Sequence, residues 1–171
     1  IANRFPELML LFSDWARKYG VCLIPGSIRE PAENGHHYNT LPAFGPDGKT
    51  LASYRKIFLF RATLPDRSYD ESRYTVAGKE PVVFDFEKIR FGLTICYDLR
   101  FPELFRSLKK RGAELVFLPS AFTVPTGRAH WETLIRARAI ENQIYLAAPG
   151  LTGRSGNCAQ TYGHSMVVDP W

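Results

Sequence analysis

Residues 91 to 104, FGLTICYDLRFPEL, constrain this chain more than any other stretch. Phe91, Leu93, Thr94 and Ile95 read as a buried strand that runs directly into Cys96. Arg100-Phe101-Pro102-Glu103 then opens an amphipathic helix. Pro102 falls near its first position, and Glu103 lies in the first turn, where the macrodipole favours an anion. A cysteine on such a strand-to-helix corner lies close to backbone N–H groups. Those groups can lower its pKa from ~8.5 and can hold an oxyanion. A lone cysteine is more often a small buried hydrophobe, but Cys96 is accompanied. Lys56 follows the segment SYR, and Glu71 lies in YDESRYTVAG. A thiolate to attack a carbonyl, an ammonium to hold the oxyanion and a carboxylate to move protons form a set able to perform acyl transfer.

Around this corner the pattern predicts alternating hairpins and strand–helix units. Leu8, Leu11, Phe12, Trp15 and Ala16 recur at helical spacing over 5 to 19, and Gly20 ends that helix. VCLIPGSI (21–28) reads as a buried strand, and residues 31 to 35 as a turn. HYNTLPAF and TLASYRKI make a hairpin about Pro46-Asp47-Gly48-Lys49. Residues 60 to 80 read as an irregular surface loop. PVVFDFEKIRFGLTIC gives two strands turning at Glu87-Lys88. A helix over about 102 to 111, a strand in ELVFLPSAF and a helix over 128 to 142 follow. IYLAAPG and HSMVVDPW close the chain as strands, separated by a Gly-rich loop at 150 to 157. Hairpins mixed with strand–helix–strand units argue for α/β layers with mixed sheets.

With 171 residues and 45% hydrophobic content, the chain forms one substantial core, so a single domain is expected. The net charge of +5 is scattered apart from Lys109-Lys110-Arg111 near a helix end, and no basic stripe carries interleaved aromatics, which argues against nucleic-acid binding. Cys22, Cys96 and Cys158 make no disulfide framework, and their odd, dispersed set points to a reducing, cytoplasmic compartment. No apolar run has membrane length. Cys22 reads as a core residue and Cys158 as a loop residue. The four histidines lack zinc-ligand spacing: His36 and His37 are adjacent, and His130 and His164 stand apart. A Cys–His protease would pair Cys96 with His130 or His164, but no accompanying protease signature is present. His130, in HWE at a helix start, reads as fixing a loop by hydrogen bonding.

In order and spacing, VCLIPGS, YRK with Lys56, GLTICYDLRFPEL with Cys96, PSAF, HWETLIRARAIENQ and YGHSMVVDPW together resemble the nitrilase superfamily of carbon–nitrogen hydrolases. The CYDLRFPE version, with the HWE and YGHSMVVDPW blocks, is most similar to Nit-type amidases, in the branch of deaminated glutathione amidase and near the omega-amidases. Nitrilases proper usually carry Trp-Glu after the cysteine, where this chain has Tyr97-Asp98.

The resemblance implies an αββα sandwich, incomplete at both ends, and an amidase that cleaves a small carboxylate-bearing amide through a cysteine thioester and releases ammonia. Cys96 would be the nucleophile, and Lys56 the oxyanion stabiliser. Tyr97 would contribute its backbone N–H to the oxyanion hole. Glu71 would orient the lysine and the substrate amide. Arg100 is either structural or faces an anionic substrate. Neither a metal nor an organic cofactor is implied. The expected partners are a small amide substrate and further copies of the chain, as a homodimer or larger oligomer. The family's general-base glutamate finds no match: Glu7 reads as a first-turn helix acid, so the base is expected upstream, and residues 1 to 171 alone are expected to be inactive, with an aggregation-prone sheet edge. An omega-amidase acting on α-ketoglutaramate, a broader aliphatic amidase and a catalytically silent binding module of the same fold remain as alternatives.

Overall fold

Two β-sheets face each other across the core, with helices on both outer sides. The computed structural model describes residues 4–63, 68–154 and 160–171. Helix α1 (Phe5–Tyr19) carries proline and Glu7 in its first turn and stops at Gly20, whose φ of 62° is the left-handed conformation of a helix C-cap. It packs on a three-stranded antiparallel sheet in the order β1–β2–β3, made of β1 (Ile28–Pro31), β2 (His37–Phe44) and β3 (Thr50–Arg55). That sheet covers Ala16 and part of Phe12 but leaves Leu11 and Trp15 exposed, so the apolar face expected on α1 is only half used.

The second sheet has five strands in the order β12–β9–β8–β7–β6. They are β6 (Val82–Phe86), β7 (Ile89–Leu93), β8 (Leu115–Phe117), β9 (Tyr145–Ala148) and β12 (Met166–Val168). Its centre, β7, β8 and β9, is parallel, whereas β6 and β12 pair antiparallel at the edges. The parallel steps are made by α2 (Pro102–Lys110) and α3 (Val124–Asn142), which cover the outer face of this sheet. Leu41, Ala43 and Tyr54 of the first sheet meet Leu93, Val116 and Leu146 of the second in one apolar core. The layers therefore run helix, sheet, sheet, helix, which is the expected αββα order. β2 explains its own sequence: it is central in its sheet and covered on both faces, so Thr40 to Phe44 are all buried rather than alternating.

Both predicted hairpins form, and α2 keeps its expected limits. Four other segments differ. Residues 21 to 27 contribute only an isolated bridge between Leu23 and Phe44, because Pro25 cannot donate to a ladder and Gly26 sits at a φ of 96°. Pairing starts instead at Ile28 and runs through Pro31 into the expected turn. The expected loop at 60 to 80 contains a small hairpin, β4 (Arg61–Thr63) with β5 (Ser68–Asp70), whose connection at 64–67 lies outside the described residues. The Gly-rich loop contributes β10 (Thr152–Gly153), paired with β11 (Thr161–Tyr162), while 155–159, including Cys158, lies outside the described residues. Finally, α3 begins at Val124 with Thr123 as N-cap, four residues before the expected start, so His130 sits inside the helix rather than at its start.

Candidate active site

Cys96 stands just past the carboxyl end of β7, where open parallel sheets characteristically present their ligand sites. Ladder-like bonds continue beyond the strand. Thr94 N–H and its hydroxyl both donate to Phe117 O, and Cys96 N–H donates to Pro119 O at 3.0 Å. Cys96 itself has a φ of +50°, a left-handed conformation that a cysteine adopts only at a cost of ~1–2 kcal/mol. From it a short 3₁₀ turn, Cys96–Arg100, leads into α2. The thiol is thereby turned out of the sheet into a cavity of about 920 Å³. Lys56, Glu71, Tyr97 and Arg100 line the same cavity, so all five residues singled out in the sequence converge there.

Lys56 follows β3 and is 3% exposed. Its backbone is pinned on both sides, by Lys56 N–H donating to Asn39 O and by Gly78 N–H donating to Lys56 O. Its ammonium donates to Glu71 Oε2 at 2.5 Å. The β4–β5 hairpin carries Glu71 to this point. Glu71 N–H donates to Phe60 O, while Phe60 N–H returns a 2.7 Å bond to Oε2, and Asn39 Nδ2 donates to Oε1. Burial alone would raise the Glu71 pKa. The Lys56 charge and hydrogen bond, with the Phe60 and Asn39 donors, outweigh it and hold the carboxylate below its usual range.

The balance at the thiol runs against the lowering expected from the corner's backbone donors. Burial pushes the Cys96 pKa up, and the lowering influences of the Lys56 charge and of a hydrogen bond from the Ala121 backbone do not offset it, with Glu71 and Asp98 adding to the rise. Backbone groups at the corner are present as anticipated, but desolvation outweighs them. Forming a thiolate at this position needs a base. Glu7 cannot serve, since it lies exposed on α1, paired with Arg4, and does not line the cavity. Of the described cavity carboxylates, Glu71 is committed to Lys56, and Asp70 caps the next turn by accepting from Ser72 N–H and its hydroxyl.

Tyr97 packs its ring edge-on against Phe60 and Phe101. The Arg100 guanidinium lies over the Tyr97 and Phe122 rings at 5.8 and 5.9 Å and donates to His130 Nδ1 at 3.2 Å. His130 thus positions an arginine of the cavity wall. His164 stacks on Tyr162, and neither histidine lines the cavity, which removes support for a Cys–His pair. Among the described residues no group of three or more His, Cys, Asp or Glu side chains could hold a metal ion, and no helix is long and apolar enough to cross a membrane.

Sequence reasoning missed Asn39, Ala121, Tyr54 and Asp98. Asp98 is fully buried and takes hydrogen bonds from Tyr54, Ile95 and Phe58. A charged residue two positions after Cys96, in a turn that also holds Leu99 in the core, is the available signal.

The carbon–nitrogen hydrolase family model matches residues 4–171. The chain belongs to the carbon–nitrogen hydrolase family. A deaminated glutathione amidase of Synechocystis is 44% identical over 91% of this chain and 59% of its own length. An omega-amidase of Homo sapiens is 43% identical over 99% of this chain and 62% of its own length. The crystal structure of the Caenorhabditis elegans NitFhit protein superposes with a TM-score of 0.89 at 46% identity, covering 99% of this chain and 42% of that one. An amidase from Nesterenkonia sp. AN1, at 31% identity and a TM-score of 0.84, is recorded with acrylamide added covalently at its active-site cysteine. The chain therefore spans less than two thirds of the length of these relatives, within the Nit branch of the nitrilase superfamily.

Proposed function

We propose that this carbon–nitrogen hydrolase is a cysteine amidase acting on a small amide that carries a carboxylate. The observation that carries the reading is the convergence, in one cavity, of a strand-end cysteine with a buried Lys56–Glu71 pair. Cys96 Sγ attacks the amide carbon after a carboxylate has taken its proton. Lys56 Nζ and the Tyr97 backbone N–H hold the oxyanion. Collapse of the tetrahedral adduct breaks the C–N bond, and the same acid protonates ammonia as it leaves. Water then hydrolyses the thioester along the reverse path. Glu71 keeps the ammonium of Lys56 in place and orients the amide, and Arg100 binds the substrate carboxylate.

The raised thiol pKa and the engagement of Asp70 and Glu71, the described carboxylates of the cavity, support a general base supplied from elsewhere in the full-length protein. On that reading residues 1–171 alone release no ammonia, while the full-length protein does. The helices α2 and α3, with exposed Ile140 and the nearby Tyr145, support assembly with a second copy as a homodimer or larger. The free Cys22 and Cys96 suit a reducing compartment, the cytoplasm.

The deaminated glutathione amidase and the omega-amidase are almost equally similar in sequence, at 44% and 43% identity. The cavity lies within the ~300–1,000 Å³ of small-molecule sites and admits either substrate class. Ammonia release by the full-length protein is therefore measured with deaminated glutathione and with α-ketoglutaramate, with Cys96→Ala as control. Turnover of deaminated glutathione supports the first branch, and preference for α-ketoglutaramate assigns an omega-amidase. No turnover of either by folded protein whose Cys96 is alkylated no faster than Cys22 refutes the amidase reading.

A further inference from the structure

Cys96 and Lys56 belong to different sheets, and their separation depends on what ties the two segments together. Asp98 lies at that junction. Its Oδ2 accepts from Ile95 N–H at 2.8 Å, immediately before the nucleophile, and its Oδ1 accepts from Phe58 N–H at 3.1 Å, two residues after the lysine. The third donor is the Tyr54 hydroxyl, at 2.7 Å from Oδ2, on the strand that delivers Lys56. That hydroxyl also accepts from Ile57 N–H at 3.2 Å, so the two backbone N–H groups following Lys56 end on the Asp98–Tyr54 pair. Both side chains are 0% exposed. The Phe58 ring stacks on Phe101 at 3.7 Å, fastening the same loop to the end of the 3₁₀ turn.

We propose that Asp98, with Tyr54, is a positioning residue that sets the distance between the Cys96 sulfur and the Lys56 ammonium by binding the backbone of both segments through one buried carboxylate. The proposal rests on the reading of Cys96 and Lys56 as nucleophile and oxyanion stabiliser. Asp98 is buried and does not line the cavity, so its effect passes through the geometry of the two residues it holds. Strain at Cys96 gives this tie a second purpose. A left-handed cysteine persists only if its surroundings over-determine it, and the Ile95 bond closes the turn on one side while Cys96 N–H to Pro119 O closes the other.

Asparagine is nearly isosteric but has a single acceptor oxygen. In Asp98→Asn, whichever way the amide points, either Phe58 N–H or Ile95 N–H faces an NH₂ group and loses its partner. The same change removes a negative charge that raises the thiol pKa, so an electrostatic role alone would leave the enzyme as active or more active. Positioning predicts the reverse. In the full-length protein, assayed with whichever of the two amides is turned over, Asp98→Asn lowers kcat by about tenfold or more and leaves KM within about twofold. Tyr54→Phe, which keeps the anion and both of its backbone bonds, lowers kcat by a smaller factor. The double variant loses less than the product of the two factors, because the residues act as one unit.

Circular dichroism and thermal melting establish that each variant is folded. An Asp98→Asn protein that is folded and within twofold of wild-type kcat overturns the proposal, as does a loss confined to KM or losses that multiply. If Asp98→Asn does not fold, Tyr54→Phe decides alone, and unchanged kcat overturns the proposal. Retained activity in Cys96→Ala would instead refute the reading of the site, and so separates the two failures.

Discussion

The buried ammonium of Lys56 makes the Glu71 carboxylate the point at which this site is most sensitive to a change of charge alone. Glu71→Gln keeps the shape and the hydrogen-bonding capacity. The Gln carbonyl can take the place of Oε2, accepting from Lys56 and Phe60 N–H, and its NH₂ can face an Asn39 amide flipped to present its oxygen. What is lost is the counter-charge. Removing one partner of a buried pair costs ~3–5 kcal/mol, and since the Glu71 side chain is 20% exposed and water reaches it, the expected loss at pH 7 is ~2–3 kcal/mol. Urea denaturation should show it as a midpoint lower by about 1 M, at a slope of ~2–3 kcal/mol per M. The pH dependence supplies the sign. Because the folded Glu71 pKa is lowered, its contribution is fully present above the unfolded value of ~4.3 and is lost as pH falls through the lower folded value. The difference between wild type and Glu71→Gln should therefore be constant above about pH 5 and should close toward pH 3. Equal midpoints at pH 7, or a difference that persists undiminished at pH 3, would refute the reasoning, since neither fits a stabilisation carried by charge.

Other substitutions test separate parts of the structure. Lys56→Met removes a positive charge that lowers the Cys96 pKa, so iodoacetamide labelling of Cys96, followed by peptide mass mapping, should slow at pH 8 and its midpoint should move to higher pH; an unchanged profile would refute the electrostatic account. Gly127→Ala would drive a Cβ into the Tyr162 ring, and an overpacking loss of ~1–3 kcal/mol should appear in thermal or urea unfolding. Trp131→Phe leaves the His164 carbonyl without its 2.7 Å indole donor and should cost ~1–3 kcal/mol by the same assay. Glu7→Gln breaks only an exposed pair with Arg4, so stability should stay within about 0.5 kcal/mol and amidase activity of the full-length protein should be unchanged.

Features readable from the chain alone were those that neighbours in sequence decide. The β2–β3 hairpin, the turn at Glu87-Lys88, the Gly20 stop of α1 and the start of α2 at Pro102 depend on turn chemistry, capping and periodicity within a few residues. Cys96 and Lys56 stood out because motif order marks them. The β4–β5 hairpin was not legible, because strands of three residues carry too little alternation to distinguish them from a loop. The strand expected at 21 to 28 failed for the opposite reason, since apolar composition was present but Pro25 and Gly26 interrupt the ladder.

By itself, then, the sequence determined which residues could do chemistry here and in what order the layers are built. Tertiary structure decided how those residues behave. It set Glu71 against Lys56 and placed the Asp98 carboxylate between segments some 40 residues apart. It also reversed the direction expected for the Cys96 thiol. All three depend on burial and on groups brought in from distant strands, and desolvation, which acts only once the sheets have closed over a group, outweighs the local backbone donors that a sequence reveals.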